Sequence, residues 1–318
     1  MKRHIICLTA TIVMLVALAG CHRHDFHHMR PAGSGTIRVE FDWDGYIDIP
    51  PGMNLMFYPV ADHLTDDDDY TGSPTLQQVQ YDGGKIYLPQ GRYDVAVYND
   101  YTYNILFRGM DTHTSAEAYL GEFTRAPLGI RAPITYNVAE PDIFYTAHPE
   151  RLHIQPLDGE RVLRMRPVLR TLKLYVDVEI TGVQYVSKAD GSITGAAEGV
   201  RLADGSASGP DNCKRIFAFS VGDNGLHATT TMFLGNDPLN AEYSLELAFL
   251  LRNNSVSVGK FRYDVSEQII SRLRENNGNI PPEGIHIYIT DVTVDPVSGN
   301  GFDAVIDGWG DEENIELR

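Results

Sequence analysis

Short segments of alternating apolar and polar residues, separated by turns, run through most of this chain. The first is TIRVEFDW, in which Ile37, Val39, Phe41 and Trp43 alternate with polar side chains. Successive side chains of a strand point to opposite faces, so a period of two predicts a strand with one buried face and one exposed face. Many such strands at close spacing predict antiparallel β-sandwiches.

Two series of strands are separated by an irregular stretch that contains several prolines. The first series continues with NLMFYP, KIYLPQGRYDVAVYN and YNILFRG, and the second series opens with RVLRMRPVLRTLKLYVDVEI. The prolines between them are Pro127, Pro133, Pro141, Pro149 and Pro156. Since a domain usually holds roughly 100 to 200 residues, we expect one β-sandwich over residues 36–160 and a second over residues 161–318.

One short helix is predicted in the second domain. Asp264 can cap its first turn, with Glu267 three residues on as the partner of a capping box. Its apolar stripe consists of Val265, Ile269, Ile270 and Leu273, and the sequence NNG over residues 276–278 ends it. We therefore expect a mainly β fold with two antiparallel β-sandwich domains and a single short helix.

The start of the chain has the organisation of an export signal followed by a lipid-attachment site. A basic start (MKR) and an apolar run over residues 5–17 precede LAGC, which ends at Cys21. The run is too short for a membrane span, and LAGC resembles the lipobox of bacterial lipoproteins. We therefore expect residues 1–20 to be a signal peptide, Cys21 to carry lipid with acyl chains such as palmitate, and residues 21–35 to form a flexible tether.

Cysteine use and charge narrow the class of protein further. Cys7 would leave with the signal and Cys21 would be acylated, so Cys213 alone remains and no intrachain disulfide is expected. The formal net charge of −17 argues against a nucleic-acid partner, because phosphates require clustered Lys and Arg. Membrane contact is expected through the lipid alone, since no later apolar run reaches the ~20 residues of a spanning helix.

Several segments together resemble a known protein family. The lipobox, VEFDWDG, PPGMNLMFYP, LPQGRYDVAVYND and the YDVSEQI helix start are similar to a family of uncharacterised lipoproteins related to fimbrillins and minor-fimbrium anchor proteins. The resemblance implies two transthyretin-like sandwiches on an outer-membrane lipid anchor. It also implies a non-enzymatic role in cell adhesion, as an anchor or accessory subunit of a surface fimbria. Whether the body faces the periplasm or the cell surface is left open.

The resemblance implies that subunits associate by β-strand addition, in which backbone hydrogen bonds give affinity and alternate side chains fill pockets. The candidate exchange strands carry Ile37, Val39, Phe41 and Trp43 near the start, and Phe302, Ala304, Ile306 and Trp309 at the end. Which of the two exchanges is left open. Fibre subunits of such families mature by cleavage after an arginine, but here Arg30 is followed by Pro31. An anchor or accessory role is therefore favoured over a polymerising shaft.

A cluster of tyrosines offers an alternative function. Tyr98, Tyr101 and Tyr103 lie in YNDYTYN, and exposed rings on a hairpin can stack on sugars or pack against a protein. The competing interpretation is simple alternation, with one ring in the core and its neighbours on the sheet face. Glycan binding at the surface is thus the alternative to fimbrial assembly.

Candidate metal and catalytic residues are weaker. His22, His24, His27 and His28 follow the lipobox, but a tether supplies no rigid fold or supporting hydrogen bonds for a metal site. The acidic run over residues 66–69 lacks the spacing of a calcium loop and is expected to be a solvated hairpin loop. The sequence contains no HExxH, CxxC, Walker or GxSxG motif. We therefore expect no metal, no cofactor and no enzymatic activity.

Overall fold

The computed structural model describes residues 34–61, 72–121, 137–155, 159–210, 213–252 and 256–294. Within these ranges no helix has the length and apolar character needed to cross a membrane. The predictions that lie outside the described residues are the signal peptide, Cys21, His22, His24, His27, His28, the 66–69 run, Phe302, Ala304, Ile306 and Trp309. The predicted tether over 21–35 overlaps the described chain at Ser34 and Gly35, and both already belong to the first strand.

The first half of the chain consists of short strands. They are β1 (Ser34–Phe41), β2 (Gly52–Val60), β3 (Thr75–Gln80), β4 (Gly84–Pro89), β5 (Gly91–Asn99), β6 (Ile105–Arg108), β7 (Glu117–Leu120), β8 (Asn137–Val138), β9 (Tyr145–Ala147), β10 (Leu152–Ile154), β11 (Glu160–Met165) and β12 (Val168–Leu169).

The second half has longer strands and the helix. They are β13 (Thr171–Thr181), a 3-10 turn (Val183–Tyr185), β14 (Val186–Ala197), β15 (Gly199–Arg201), β16 (Ala207–Ser208), β17 (Cys213–Val221), β18 (Gly225–Leu234), β19 (Ser244–Leu251), β20 (Val256–Asp264), α1 (Ser266–Glu275) and β21 (Ile285–Thr293).

Two sheets of the first half share one apolar core. One has the order β11-β1-β4, and the other has the order β12-β9-β5-β2-β3 with β10 also paired to β5. Alternate side chains of these strands, such as Ile37, Leu55, Leu88 and Val97, belong to a single buried cluster. The period of two in the sequence therefore produces the sandwich that it predicts.

The second half is built on an eight-stranded sheet. Its order is β20-β19-β14-β17-β18-β13-β21, with β8 also paired to β17, and a separate sheet has the order β16-β15-β7-β6. The buried cluster here includes Leu174 and Ile287 of the large sheet and Leu273 of α1. Tyr58 and Tyr98 of the first half belong to the same cluster, so the two halves share buried apolar surface.

The predicted fold class is confirmed: the chain is mainly β, and its described part contains one α-helix, in the second half. Most pairings are antiparallel, as expected. The pairs β1–β11, β13–β21 and β8–β17 are parallel instead. Parallel neighbours need a long connection between them. The alternation of residues indicates which face of a strand is buried, but it does not indicate which distant strand it pairs with.

The strand pairings bear on the predicted division at residue 160. β11 begins at that position and β12 follows it, but they pair with β1 and β9 of the first half. β6 and β7 precede it, yet β7 pairs with β15. We therefore propose that residues 160–169 belong to the first sandwich and that residues 105–120 belong to the second domain.

The helix begins and ends close to where its sequence predicts. The N-cap is Val265 rather than the predicted Asp264, whose carboxylate accepts the N–H of Ser266, the first helical residue, at 2.9 Å. Ile269, Ile270 and Leu273 are buried, as the apolar stripe requires. The helix ends where Gly278, at φ +80°, donates its N–H to the carbonyl of Leu273 at 2.8 Å, a conformation that favours glycine.

Candidate strand-addition site

Strand β1 lies between two strands that come later in the chain. It pairs antiparallel with β4, with Ile37 opposite Ile86, and parallel with β11, with Ile37 opposite Arg161. Both of its edges are therefore hydrogen-bonded. Without β1, the space between β4 and β11 would be a groove one strand wide.

The inner face of β1 carries the apolar residues that the sequence identifies as exchange candidates. Ile37 and Val39 are buried, with 0% and 1% of their surface exposed. Phe41 and Trp43 are partly buried and pack against the same cluster. Burial of each aliphatic side chain contributes about 1.5–3 kcal/mol, so this face supplies most of the strand's attachment.

Trp43 lies beyond the end of β1 rather than within it. The strand ends at Phe41, after which the N–H of Asp44 bonds the carboxylate of Asp42 at 3.1 Å and turns the chain. The indole Nε1 of Trp43 donates to the carbonyl of Tyr81 at 2.6 Å, and its ring lies 5.2 Å from that of Tyr145, edge to face. Trp43 thus closes the end of the groove.

The outer face of β1 is charged and pairs with both neighbours. Arg38 forms an ion pair with Glu160 of β11, and Lys85 of β4 reaches the same carboxylate at 2.6 Å. The hydrogen bond from Lys85, with the charge of Arg38, holds the pKa of Glu160 below its usual range. Exposed pairs of this kind add little stability, so they set the register of β1 rather than its attachment.

A close backbone approach fixes β1 from the β3–β4 turn. Gly83 has φ +102°, and a Cβ at this position would lie 2.0 Å from the carbonyl oxygen of Val39. A residue with a side chain would therefore push β1 outward. Only glycine allows the turn to lie this close to the strand.

The tyrosine candidates separate into buried and exposed rings. Tyr98 is 5% exposed and its ring lies 4.8 Å from that of Phe107, so it belongs to the core. Tyr101 and Tyr103 are 70% and 84% exposed in the loop after β5. The carboxylate of Asp142 accepts the N–H of Tyr103 at 2.6 Å, which holds that loop in place.

A second group of exposed rings lies on the outer face of the large sheet and was not identified from the sequence. His286 stacks on Tyr175 at 4.6 Å between ring centroids and on Tyr288 at 5.9 Å. The alternation in LKLYVDV and IHIYI places these residues on outward faces, which is a signal available in the sequence. Their proximity depends on the pairing of β13 with β21, which is not.

A polar cluster lies next to a cavity of about 240 Å³, and it bears on the expectation that the chain is not an enzyme. The Nε of Arg170, which lines the cavity, donates to Thr146 Oγ1 at 2.7 Å, and Thr146 Oγ1 lies 3.0 Å from His148 Nε2. Burial, followed by the charge of Arg170, lowers the pKa of His148 to about 4. Thr146 is fully buried, so its hydroxyl is positioned to support Arg170 and not to meet a substrate.

Within the ranges that the structure describes, no group of three His, Cys, Asp or Glu side chains could hold a metal ion. The tether histidines lie outside those ranges. Lipidation of Cys21 therefore stays a prediction, and the four histidines stay weak metal candidates.

Comparison with known proteins gives both a family and a fold. Residues 20–216 match the family described as "Domain of unknown function (DUF5119)". An alignment of 337 positions covers 95% of this chain and 95% of a Bacteroides ovatus protein named "Putative fimbrium anchoring subunit Fim4B". The two sequences are 30% identical over it.

Solved structures resemble this fold over most of its length. One, described as a "putative adhesin" from Bacteroides ovatus, has a TM-score of 0.64 and 24% identity, covering 88% of this chain and 99% of that chain. Another, described as "putative polysaccharide binding proteins" from Bacteroides thetaiotaomicron, has a TM-score of 0.51 and 10% identity, covering 80% of this chain and 89% of that one. At 24% and 10% identity, these similarities show a shared fold and nothing about function.

Proposed function

Because this chain belongs to the DUF5119 family and is similar over nearly its whole length to the Bacteroides ovatus protein Fim4B, we propose that it is a non-enzymatic, lipid-anchored protein of the outer membrane. Its role is to anchor or assist a fimbria-like surface assembly. Its partners are other fimbrial or surface subunits, which it binds by β-strand addition.

The observation that carries this proposal is that β1 occupies its own groove. A subunit in the shaft of a fibre must leave a groove open for the strand of its neighbour. Here β1 is paired on both edges, and Ile37 and Val39 are buried in the core. A groove filled by the chain's own strand suits a terminal or accessory subunit.

The position of β1 relative to Cys21 also suits an anchor. Residues 22–33 connect the lipid site to Ser34, and a fully extended chain of that length reaches about 40 Å. This allows the folded body to stand clear of the lipid headgroups. The body can then present its far strands to a partner while the acyl chains stay in the membrane.

The candidate that remains for exchange is the segment over residues 302–309. Phe302, Ala304 and Ile306 would share one face of an extended strand, with Asp303, Val305 and Asp307 on the other, so the first face could fill pockets of the partner. We expect Ile306→Asp to remove most of the fimbrial material that co-purifies with this protein, because a charge would enter an apolar pocket. The measurement is co-purification from cells that express the full chain.

The matched control is Asp307→Asn, which changes the opposite face of the same strand and should leave co-purification unchanged. Equal yields of fimbrial material with Ile306→Asp and with the unmodified chain would contradict donation of this strand. The anchor role would then have to use another edge.

The second candidate function is glycan binding, favoured by the exposed rings of Tyr101 and Tyr103 on a loop held by Asp142. Rings exposed in this way can stack on the apolar face of a sugar. We expect the double variant Tyr101→Ala, Tyr103→Ala to lose any signal that the unmodified chain gives on a glycan array. Tyr81→Ala, at a ring that is 47% exposed elsewhere, is the control. An array without signal for the unmodified chain removes this function.

A further inference from the structure

The outer edge of β21 has no partner strand within the part of the chain that the structure describes. β21 is the last strand of the eight-stranded sheet and pairs with β13 on one side. No other strand in the described part of the chain pairs with its second side. In a parallel pair, alternate residues direct both backbone groups away from the neighbour, so an edge of this kind can add a further strand.

The side chain of Gln268 occupies the middle of this edge. Its Nε2 donates to the carbonyl of Tyr288 at 3.1 Å, and its Oε1 accepts the N–H of Tyr288 at 2.9 Å. These are the two hydrogen bonds that the opposite residue of an antiparallel strand would make with Tyr288. A primary amide has the same donor and acceptor as a peptide group, so Gln268 takes the place of a partner strand at this point.

The helix holds Gln268 in position. Its neighbours Ile269 and Ile270 are buried, and Leu273 one turn further on is fully buried. The amide is thus fixed on the exposed border of a helix whose other face packs into the core. A side chain that is already oriented loses little conformational entropy when it bonds the edge.

A second feature limits the length of the open edge. The pairing of β21 with β13 shifts between Ile289 and Val292, and Asp291 within that shift has φ +64°. Such bulges twist an edge away from the straight geometry that a partner requires. The part of β21 that could still pair is therefore centred on His286 and Tyr288.

We propose that this edge is a pairing surface for a second copy of the chain and that Gln268 keeps it closed. Antiparallel pairing of two β21 strands about a two-fold axis at Tyr288 would place each Tyr288 opposite the other. The same patch would then serve both copies, as a two-fold interface requires. The axis would pass through the backbone groups that Gln268 now holds.

The exposed rings favour a second copy over an unrelated strand. Tyr288 is 60% exposed and is supported by the stacked ring of His286. In the paired state the two Tyr288 side chains would be cross-strand neighbours, and aromatic cross-strand pairs stabilise a sheet. This surface uses neither β1 nor residues 302–309, so it goes beyond the proposed function and stands independently of it.

The test is the dimerisation of Gln268→Ala, measured by sedimentation equilibrium. All proteins carry Cys21→Ser so that no acyl chain drives association. We expect Gln268→Ala to lower the dissociation constant of the dimer by about tenfold or more, since two competing hydrogen bonds are removed. Gln268→Leu, which removes both the donor and the acceptor without adding a charge, should also dimerise more readily and serves if Gln268→Ala does not fold.

Two further variants make the outcome decisive. Arg274→Ala, at an exposed position of the same helix, should associate like the parent. Adding Tyr288→Lys to Gln268→Ala should restore the monomer, because two like charges would meet at the axis. A folded Gln268 variant that is no more dimeric than the parent overturns the proposal, and so does a dimer that is unaffected by Tyr288→Lys.

Discussion

Replacement of Ile37 by aspartate is expected to unfold the first sandwich. Ile37 is completely buried in the middle of β1, between Ile86 and Arg161 of its two neighbours. The variant would place an unpaired carboxylate in the apolar core, and changes of this type lower the free energy of unfolding by more than about 4 kcal/mol. Urea unfolding followed by circular dichroism measures the loss as a shift of the midpoint.

The matched control is Arg38→Gln, one residue further along the same strand. Arg38 lies on the exposed face and pairs with Glu160, so its loss should cost less than about 1 kcal/mol. Similar midpoints for Ile37→Asp and the unmodified chain would mean that β1 does not fill the groove in solution.

The expected cost for Ile37 has a consequence for assembly. Withdrawal of β1 would expose Ile37 and Val39 and leave the inward edges of β4 and β11 without partners. A donated strand from another subunit would have to replace all of these interactions before exchange became favourable. Because β1 is covalently part of the chain, it competes at a high effective concentration. Under the proposed function, we therefore expect the groove to stay filled and a partner strand to bind at another edge.

The faces of the strands could be predicted from the sequence, but most partners could not. Alternation in TIRVEFDW correctly places Ile37 and Val39 in the core, because the side-chain period of a strand depends on local geometry alone. The parallel pairing of β1 with β11 joins residues more than a hundred positions apart. Nothing in a local pattern encodes that contact, which results from long-range packing. The exposed ion pairs of Glu160 with Arg38 and of Arg164 with Glu40 add little to it.

The contacts of the candidate surfaces could be predicted only in part, for the same reason. Alternation could assign Tyr98 to one side of β5 but could not say that this side is covered by Phe107. Tyr101 and Tyr103 lie beyond the strand, so no period applied to them, and their exposure follows from a loop held by Asp142. Gln268 lies in a helix that was predicted, but its contact with Tyr288 depends on where that helix packs.

Replacement of Cys21 by serine is expected to move the protein from the membrane fraction to the soluble fraction. The thiol is the group that a lipoprotein pathway would acylate, and a hydroxyl is a far weaker nucleophile at neutral pH. Each buried CH₂ of an acyl chain contributes about 0.8 kcal/mol to membrane binding, and stable attachment requires more than one chain. Loss of all chains together should therefore release nearly all of the protein.

The control for Cys21→Ser is Cys213→Ser, which changes the other cysteine of the mature chain. Cys213 is buried at the start of β17 and its Sγ donates to the carbonyl of Pro210 at 3.3 Å, so acylation enzymes have no access to it. The Cys213 variant should keep its membrane attachment and incorporate labelled palmitate, whereas the Cys21 variant should lose both together. A Cys21 variant that stays in the membrane would contradict lipid anchoring.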